Sequence, residues 1–523
     1  VWPGIPWSIC PEWGGQFAAE SGVNLSRNQV VNISGISTLI IEPQITYTQS
    51  FKRSNLNVLL GGTYQNSLKN TQYTSASNFS NDALIEDAGS ASIVSVNNSA
   101  ANYKYESVFA RITYNFDEKY IINASARRDG SSRFGPGDQF GNFGAVGAAW
   151  LFSNEPLIKD HLTFLSFGKL RASYGITGND QIKDYQYLST YASSGYVYQD
   201  VAGLKSNQIS NANLHWETNK KAEVAMELGF FKDRISITID HYQNRSSNQL
   251  ISYTLPTITG FANYQANLPA VVQNSGWEFE LNTVNIRTNT FNWKTTFNIS
   301  IPKNRLLSFP GLAASSYANT LVIGKDISQA YGYVLTGVDP ATGTPQYDTP
   351  TGSSSPNYFD KWGQTSPYFY GGFGNTWTYK NWQLDIFGQF AKQFAKGSTY
   401  YVPGANFNDF TNAMGRWQNV GDITNIPKAS TFYDPYYAYS TANWFNASYF
   451  RLKNASISYV FPDKWLKNKN INRLRLYLEG QNLFTIRYKN TALYDPETGG
   501  DNTTGMIPFP ITRSFIAGIQ ITF

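Results

Sequence analysis

Side chains in successive segments of this chain alternate between apolar and polar at every second residue, and in the clearest segments the charges share one of the two parities. From Arg513 to Phe523, one face carries Phe515, Ala517, Ile519, Ile521 and Phe523. The other carries Ser514, Gly518, Gln520 and Thr522, with Ile516 the one misfit. Phe291, Trp293, Thr295, Phe297 and Ile299 alternate in the same way with Asn292, Lys294, Thr296, Asn298 and Ser300. Val108, Ala110, Ile112, Tyr114 and Phe116 stand opposite Arg111, Thr113 and Asn115. Leu474, Leu476 and Leu478 stand opposite Arg473, Arg475, Tyr477 and Glu479. A period of two means extended strands. A Lys or Arg facing lipid at mid-bilayer costs roughly 2–4 kcal/mol, so sorted charges fit a barrel with a wet lumen and an apolar exterior.

The sequence predicts an all-β transmembrane antiparallel barrel. About sixteen segments read as strands, starting near residues 38, 55, 104, 119, 142, 164, 185, 214, 233, 273, 290, 367, 382, 447, 472 and 513. Each is about as long as a tilted bilayer crossing, or longer. Some connections are short, as at Phe116-Asp117-Glu118-Lys119 and Tyr379-Lys380-Asn381. Others are long and polar: residues 68–103, 304–366, 395–446 and 486–512. Short turns on one side and long loops on the other are the asymmetry of outer-membrane barrels. Aromatics gather where strands meet turns, at Tyr114, Phe116 and Tyr120, at Trp377, Tyr379 and Trp382, and at Tyr459 and Phe461. Such rings suit interfacial girdles.

Composition narrows the function. Aromatic residues make up 16% of 523 residues, against 3 His and 1 Cys. A lone Cys10 supports neither a disulfide framework nor a thiolate zinc site. The net charge of +5 is dispersed, so no nucleic-acid footprint is present. No apolar run is long enough for a transmembrane helix. The opening residues lack the basic region and apolar core of an export signal, so a processed or partial chain is expected. Residues 1–37 carry no assignment, and residues 38–523 read as the barrel.

Few residues suggest chemistry. Ser131 and Ser132 lack a base in a recognisable relation among His161, His215 and His241, so no enzyme is expected. Asp495, Glu497 and Asp501 are candidate oxygen ligands for Ca²⁺, although their spacing departs from the helix–loop–helix pattern. No other cofactor or metal is expected. The candidate ligand contacts are Tyr433, Tyr436, Tyr437, Tyr439 and Trp444, crowded into one long loop. Their faces can stack on sugar rings or peptide side chains, or they can pack the loop against the wall.

Eight stretches, in order, resemble the SusC/RagA-type TonB-dependent transporters. They are DEKYIINASARRDGSSRFG (Asp117 to Gly135), GKLRASYGITGNDQI (Gly168 to Ile182), LHWET (Leu214 to Thr218), NSGWEFEL (Asn274 to Leu281), SYFRLKNASISYVFP (Ser448 to Pro462), LYLEGQNLFT (Leu476 to Thr485), YDPET (Tyr494 to Thr498) and FIAGIQITF (Phe515 to Phe523). The resemblance spans roughly residues 38–523. It implies a 22-stranded, plugged outer-membrane transporter, with about sixteen strands present in this chain. It further implies glycan or oligopeptide uptake, a SusD-like lipoprotein lid, and energy from TonB–ExbB–ExbD through a plug region that this sequence does not show. The alternative is a passive porin-like or assembly-associated barrel.

The resemblance also marks Phe515, Ile519, Ile521 and Phe523 as an assembly signal. Deleting Phe523 is expected to impair membrane insertion. Unchanged outer-membrane levels of the deletion, measured by fractionation, would contradict that reading.

Overall fold

The computed structural model describes residues 27–349, 360–396, 403–404, 411–432, 434, 436–466, 471–488, 495–498 and 510–523. Its main feature is one 16-stranded antiparallel sheet that follows chain order. The sheet opens with β1 (Asn28–Ile41) and β2 (Gln44–Ser50), both paired with β3 (Ser54–Ser77). Next come β4 (Ile93–Phe116), β5 (Tyr120–Ser131), β6 (Phe140–Trp150), a short helix α1 (Pro156–His161) and β7 (Leu165–Asn179). A separate hairpin, β8 (Thr190–Tyr198) and β9 (Val201–Gln208), leaves the wall. The wall resumes with β10 (Glu217–Phe230), β11 (Ile235–Thr254), β12 (Asn263–Arg287) and β13 (Phe291–Ser308). The following loop holds β14 (Gln329–Gly332), β15 (Leu335–Val338), β16 (Pro345–Tyr347) and β17 (Asp360–Gln364). Then come β18 (Phe369–Tyr379) and β19 (Trp382–Lys392), the small pair β20 (Phe394–Lys396) and β21 (Trp444–Asn446), and finally β22 (Tyr449–Val460), β23 (Arg473–Arg487) and β24 (Ser514–Thr522).

β1 and β2 continue one row. Ile41 faces Tyr64 and Gln44 faces Gly61 on the same edge of β3. Pro43 interrupts them because it has no N–H for the ladder. Its carbonyl still accepts from the Gly62 N–H at 3.1 Å. Sixteen strands therefore occupy fifteen rows of wall.

The two faces of the wall differ in chemistry. One face carries paired charges. The other exposes side chains that protein does not cover: Phe515 is 73% exposed, Ile519 67% and Phe523 79%, with Ile521 in the same row. Such a face is stable only against acyl chains, since water would penalise roughly 25 cal/mol for each apolar Å². The girdle rings cluster at the short-turn end. Phe116 stacks on Tyr120 at 6.4 Å, Trp382 meets Tyr459 at 4.8 Å, and Tyr459 meets Phe461 at 5.1 Å. At the tight β4–β5 turn, Asp117 and Glu118 take positive φ, as a two-residue hairpin requires. Hydrogen bonds from Arg53 and Lys119 hold the Asp117 carboxyl down to about 2.

Among the described residues, two buried apolar clusters form at the long-loop end. Phe134 and Leu214 are buried beside Trp216, whose indole N–H donates to the Gln139 carbonyl at 2.9 Å. Leu268, Ala270, Leu306 and Phe309 make a second cluster.

Strand starts match the sequence reading within three residues for β3, β5, β6, β7, β10, β11, β13 and the later wall strands, while β2 is absent from that reading. β1 begins at Asn28, β4 at Ile93 and β12 at Asn263, each about ten residues before the position read from periodicity. The β1 and β4 extensions are mostly exposed, whereas the β12 extension buries Leu268 and Ala270 in the loop-covered cluster, a setting made by residues far along the chain. The segment near residue 185 is not a wall strand; it leads into the exposed β8–β9 hairpin.

Ile239 tests which face meets lipid, because it points outward between Met226 and Phe279 about midway along the crossing. Replacing Ile239 by Lys is expected to cost roughly 2–4 kcal/mol of folding stability in vesicles, and Thr238→Lys far less. Denaturant midpoints read the difference; equal costs would reverse the assignment of faces.

Candidate functional site

The aromatic loop is built from ring-on-ring contacts between two long connections. Tyr436 sits edge-on to Tyr333 at 4.8 Å and to Tyr347 at 5.7 Å. Asp434 ties them together: Oδ1 accepts from the Tyr436 N–H at 2.8 Å, and Oδ2 accepts from the Tyr347 hydroxyl at 2.9 Å. Burial, reinforced by Asp434, pushes the Tyr347 hydroxyl far above the ordinary phenol value, so it remains a donor. Tyr437 is buried, and its carbonyl accepts from the Ser440 hydroxyl at 2.8 Å. Trp444 stacks on Phe394 at 6.1 Å with the rings 5° apart. Tyr439 is 43% exposed, while its carbonyl receives the Tyr333 N–H. Tyr433 lies outside the described residues. The structure thus brings Tyr436 and Tyr437 into a packed cluster, sets Trp444 beside it, and leaves the Tyr439 ring most open.

A second feature lies on the charged face of the wall. Alternation puts Lys169, Arg171 and Ser173 of β7, Glu223 and Glu227 of β10, Asp240 and Tyr242 of β11, and Glu278 of β12 on one parity. Arg171 is the hub. It bonds Asp240 at 2.8 Å, Glu227 at 3.1 Å, and Glu223 through its other terminal nitrogen. Lys169 reaches the same Glu227 at 3.1 Å. Arg171, Ser173, Glu223, Asp240, Tyr242 and Glu278 border a cleft of about 1010 Å³, which Asn274, Asn304, Asp326 and Ser328 also line. Asp326 is itself held in place, accepting from the Ser328 N–H at 2.7 Å and the Ser366 hydroxyl at 3.0 Å. Fixed donors and acceptors around a polar cleft can orient a ligand without large reorganisation.

Sequence reasoning missed this cleft as a site. Arg171 stood inside a recognised stretch, and its parity was legible. Its partners lie 52 to 69 residues away, and only strand register brings them together.

The acidic pair at Asp495 and Glu497 has cationic partners of its own. Arg451, almost fully buried, bonds Asp495 at 2.6 Å and also engages Glu497. Lys453 reaches Glu497 at 2.7 Å. Burial works to raise the Asp495 carboxyl, but Arg451 and the Glu497 and Ile511 N–H groups outweigh it and hold the value below normal. Gln393 adds a bond to the Pro496 carbonyl at 2.8 Å. Arg451 and Lys453 thus supply the positive charge that Ca²⁺ would otherwise bring, and the segment is clamped to the wall. Asp501 lies outside the described residues. Among the described residues no group of three His, Cys, Asp or Glu side chains is placed to hold a metal.

Ser131 donates to Asp180 at 2.7 Å, and the Tyr103 hydroxyl donates to the same oxygen at 2.8 Å. His215 bonds the Asn213 carbonyl, and His241 lies on Trp277. Neither pairs with Ser131, so these groups form a loop anchor and not a nucleophile–base pair.

Comparisons with known proteins agree with this architecture. The profile of the family described as TonB dependent receptor-like, beta-barrel matches residues 13–483. TonB-dependent receptor P3 of Formosa agariphila is 27% identical, over 96% of this chain and 54% of the relative. TonB-dependent receptor SusC of Bacteroides thetaiotaomicron is 25% identical, over 80% of this chain and 43% of the relative. The solved RagAB peptide transporter superposes with a TM-score of 0.83 at 24% identity, covering 95% of this chain and 56% of that one. The chain therefore spans about half the length of the curated relatives it matches. Alternating wall strands, an apolar exterior and a charged lumen converge with these matches, and the chain belongs to the TonB-dependent receptor β-barrel family of the outer membrane.

Proposed function

We propose that this chain forms the barrel wall of a SusC-like importer, which binds glycans or oligopeptides outside and passes them inward without covalent chemistry. The observation that carries this reading is the Arg171-centred cleft, a fixed polar surface on the lumen side. A passive pore needs only a wet lumen. A binding transporter needs groups held in place before the ligand arrives. Of Tyr436, Tyr437, Tyr439 and Trp444, Tyr439 offers the most open ring for stacking, with the Tyr436 and Tyr437 cluster as its rigid support.

The partners follow from the same reading. A SusD-like lipoprotein would close the mouth, and TonB–ExbB–ExbD would supply energy through a plug region. The RagAB neighbour is a peptide transporter, which favours oligopeptides as the first substrates to test. Mixed charge at the cleft suits ligands that carry both an ammonium and a carboxylate. Glu223 and Asp240 would meet the first, and Arg171 the second.

Uptake of labelled oligopeptides and oligosaccharides by whole cells tests the proposal. Uptake is expected to fall to background when TonB is depleted. The double variant Glu223→Gln/Asp240→Asn is expected to weaken apparent affinity about tenfold, a change of roughly 1.4 kcal/mol, at an unchanged protein level. Uptake that ignores TonB would leave only a passive pore, and unchanged affinity would remove the cleft from the binding path.

A further inference from the structure

The outward face of the β10–β13 wall changes character along its length. Starting from the short-turn end, the outward residues of β10 are Phe230, Leu228, Met226, Val224, Ala222 and then Lys220. Those of β11 are Ile235, Ile237, Ile239, His241, Gln243 and then Arg245. On β13, Phe297, Ile299 and Ile301 give way to Lys303 and Arg305. Register aligns these changes. Lys220 is directly opposite Arg245, Arg245 opposite Gln273, and Gln273 opposite Arg305. Three cations therefore lie along one cross-strand row, and Lys303 sits one outward position below Arg305.

This row sits at a definite height. Lys220 and Arg245 are each ten residues from the β10–β11 turn, and Arg305 is fourteen from the start of β13. With about 3.3 Å per residue and a tilt near 40°, these positions stand roughly 25–35 Å above the short-turn side. The apolar band of an outer-membrane barrel is about 25 Å tall. The cations thus lie just past the hydrocarbon, on the long-loop side, at headgroup level.

Their charge is uncompensated by protein. Among the described residues, none of Lys220, Arg245, Lys303 and Arg305 makes an ion pair. The acceptors beside Arg245 are neutral amides, Gln273 at 2.9 Å and Gln243. Like charges directly opposite in a sheet destabilise it. The lumen cations Arg171 and Arg451, by contrast, each have two or three carboxylates. The acids of these four strands, Glu217, Glu223, Glu227, Asp240, Glu278 and Glu280, all take the inward parity. An external anion is the counter-charge that this row lacks. The apolar side chains Val224, Trp277 and Ile301 begin two outward positions below the row, so the anion that fits is attached to acyl chains.

We propose that Lys220, Arg245 and Arg305, with Lys303, form a binding site for the phosphate of an outer-leaflet glycolipid whose acyl chains lie along Val224, Trp277 and Ile301. A phosphate can accept from adjacent Lys and Arg side chains, since neighbouring rows are only about 4.8 Å apart. The lipid would relieve the repulsion within the row and fix this side of the barrel in the membrane.

The test uses the detergent-purified protein titrated with micelles of three compositions: an acylated glucosamine disaccharide carrying one phosphate, the same glycolipid without phosphate, and plain detergent with inorganic phosphate. Lys220→Gln/Arg245→Gln/Arg305→Gln removes the charge. Lys220→Arg/Arg245→Lys/Arg305→Lys retains it. Heat-modifiable migration on gels confirms that each variant is a folded barrel. At about a factor of five per cation near a charged surface, the neutral triple variant is expected to bind the phosphorylated glycolipid roughly a hundredfold more weakly. The charge-retaining variant is expected to bind it nearly as well as the parent. Equal binding by the neutral triple variant would overturn the proposal. So would equal binding of the phosphate-free glycolipid, or inorganic phosphate binding as tightly as the lipid.

Discussion

A chain that crosses hydrocarbon must satisfy every backbone N–H and C=O within itself, and this structure is organised around that demand. Each wall strand pairs with its neighbour in an unbroken antiparallel series from β1 to β24. The proline-induced gap at Pro43 is bridged by the bond from Gly62. Once the ladder is fixed, each residue has one of two fates, lipid or lumen. Shifting one strand by a single residue would exchange them for that whole strand. The energetic penalty for a misplaced charge is what enforces the register.

The same rule distributes function. On the lumen side, charges are compensated around Arg171 and Arg451, so these clusters form stable surfaces that can meet a ligand or clamp a loop. On the exterior, apolar rows need no partner within the protein. Among the described residues, protein-like cores appear where long loops fold over the strand ends, around Phe134 and Trp216 and around Leu306 and Phe309. Water, lipid and protein thus each serve as solvent for a different part of one sheet.

Much of this was legible in the residues. The alternation of Phe515 to Phe523, the short turn at Asp117-Glu118 and the aromatics at Trp382 and Tyr459 each correspond to a feature of the fold. The extensions of β1, β4 and β12 were not legible. The β1 and β4 extensions are mostly exposed, and the β12 extension packs Leu268 and Ala270 against Leu306 and Phe309, which only the folded loop brings near. The aromatic loop was recognised as a cluster. Its division into packed Tyr436 and Tyr437 and open Tyr439 depends on Tyr333 and Tyr347, which come from a different loop. The pairing of Asp495 and Glu497 with Arg451 was hidden for the same reason.

Local periodicity therefore determined the strands, their two faces and the membrane setting, because those follow from which side chain each solvent tolerates. Register and loop packing decided which distant residues meet: Arg171 with Asp240, Asp434 with Tyr347, Lys220 with Arg245 and Arg305. A sequence encodes preferences residue by residue. Charge–charge and ring–ring contacts fall off within a few ångströms, and only the folded chain brings residues separated by tens of positions within that range.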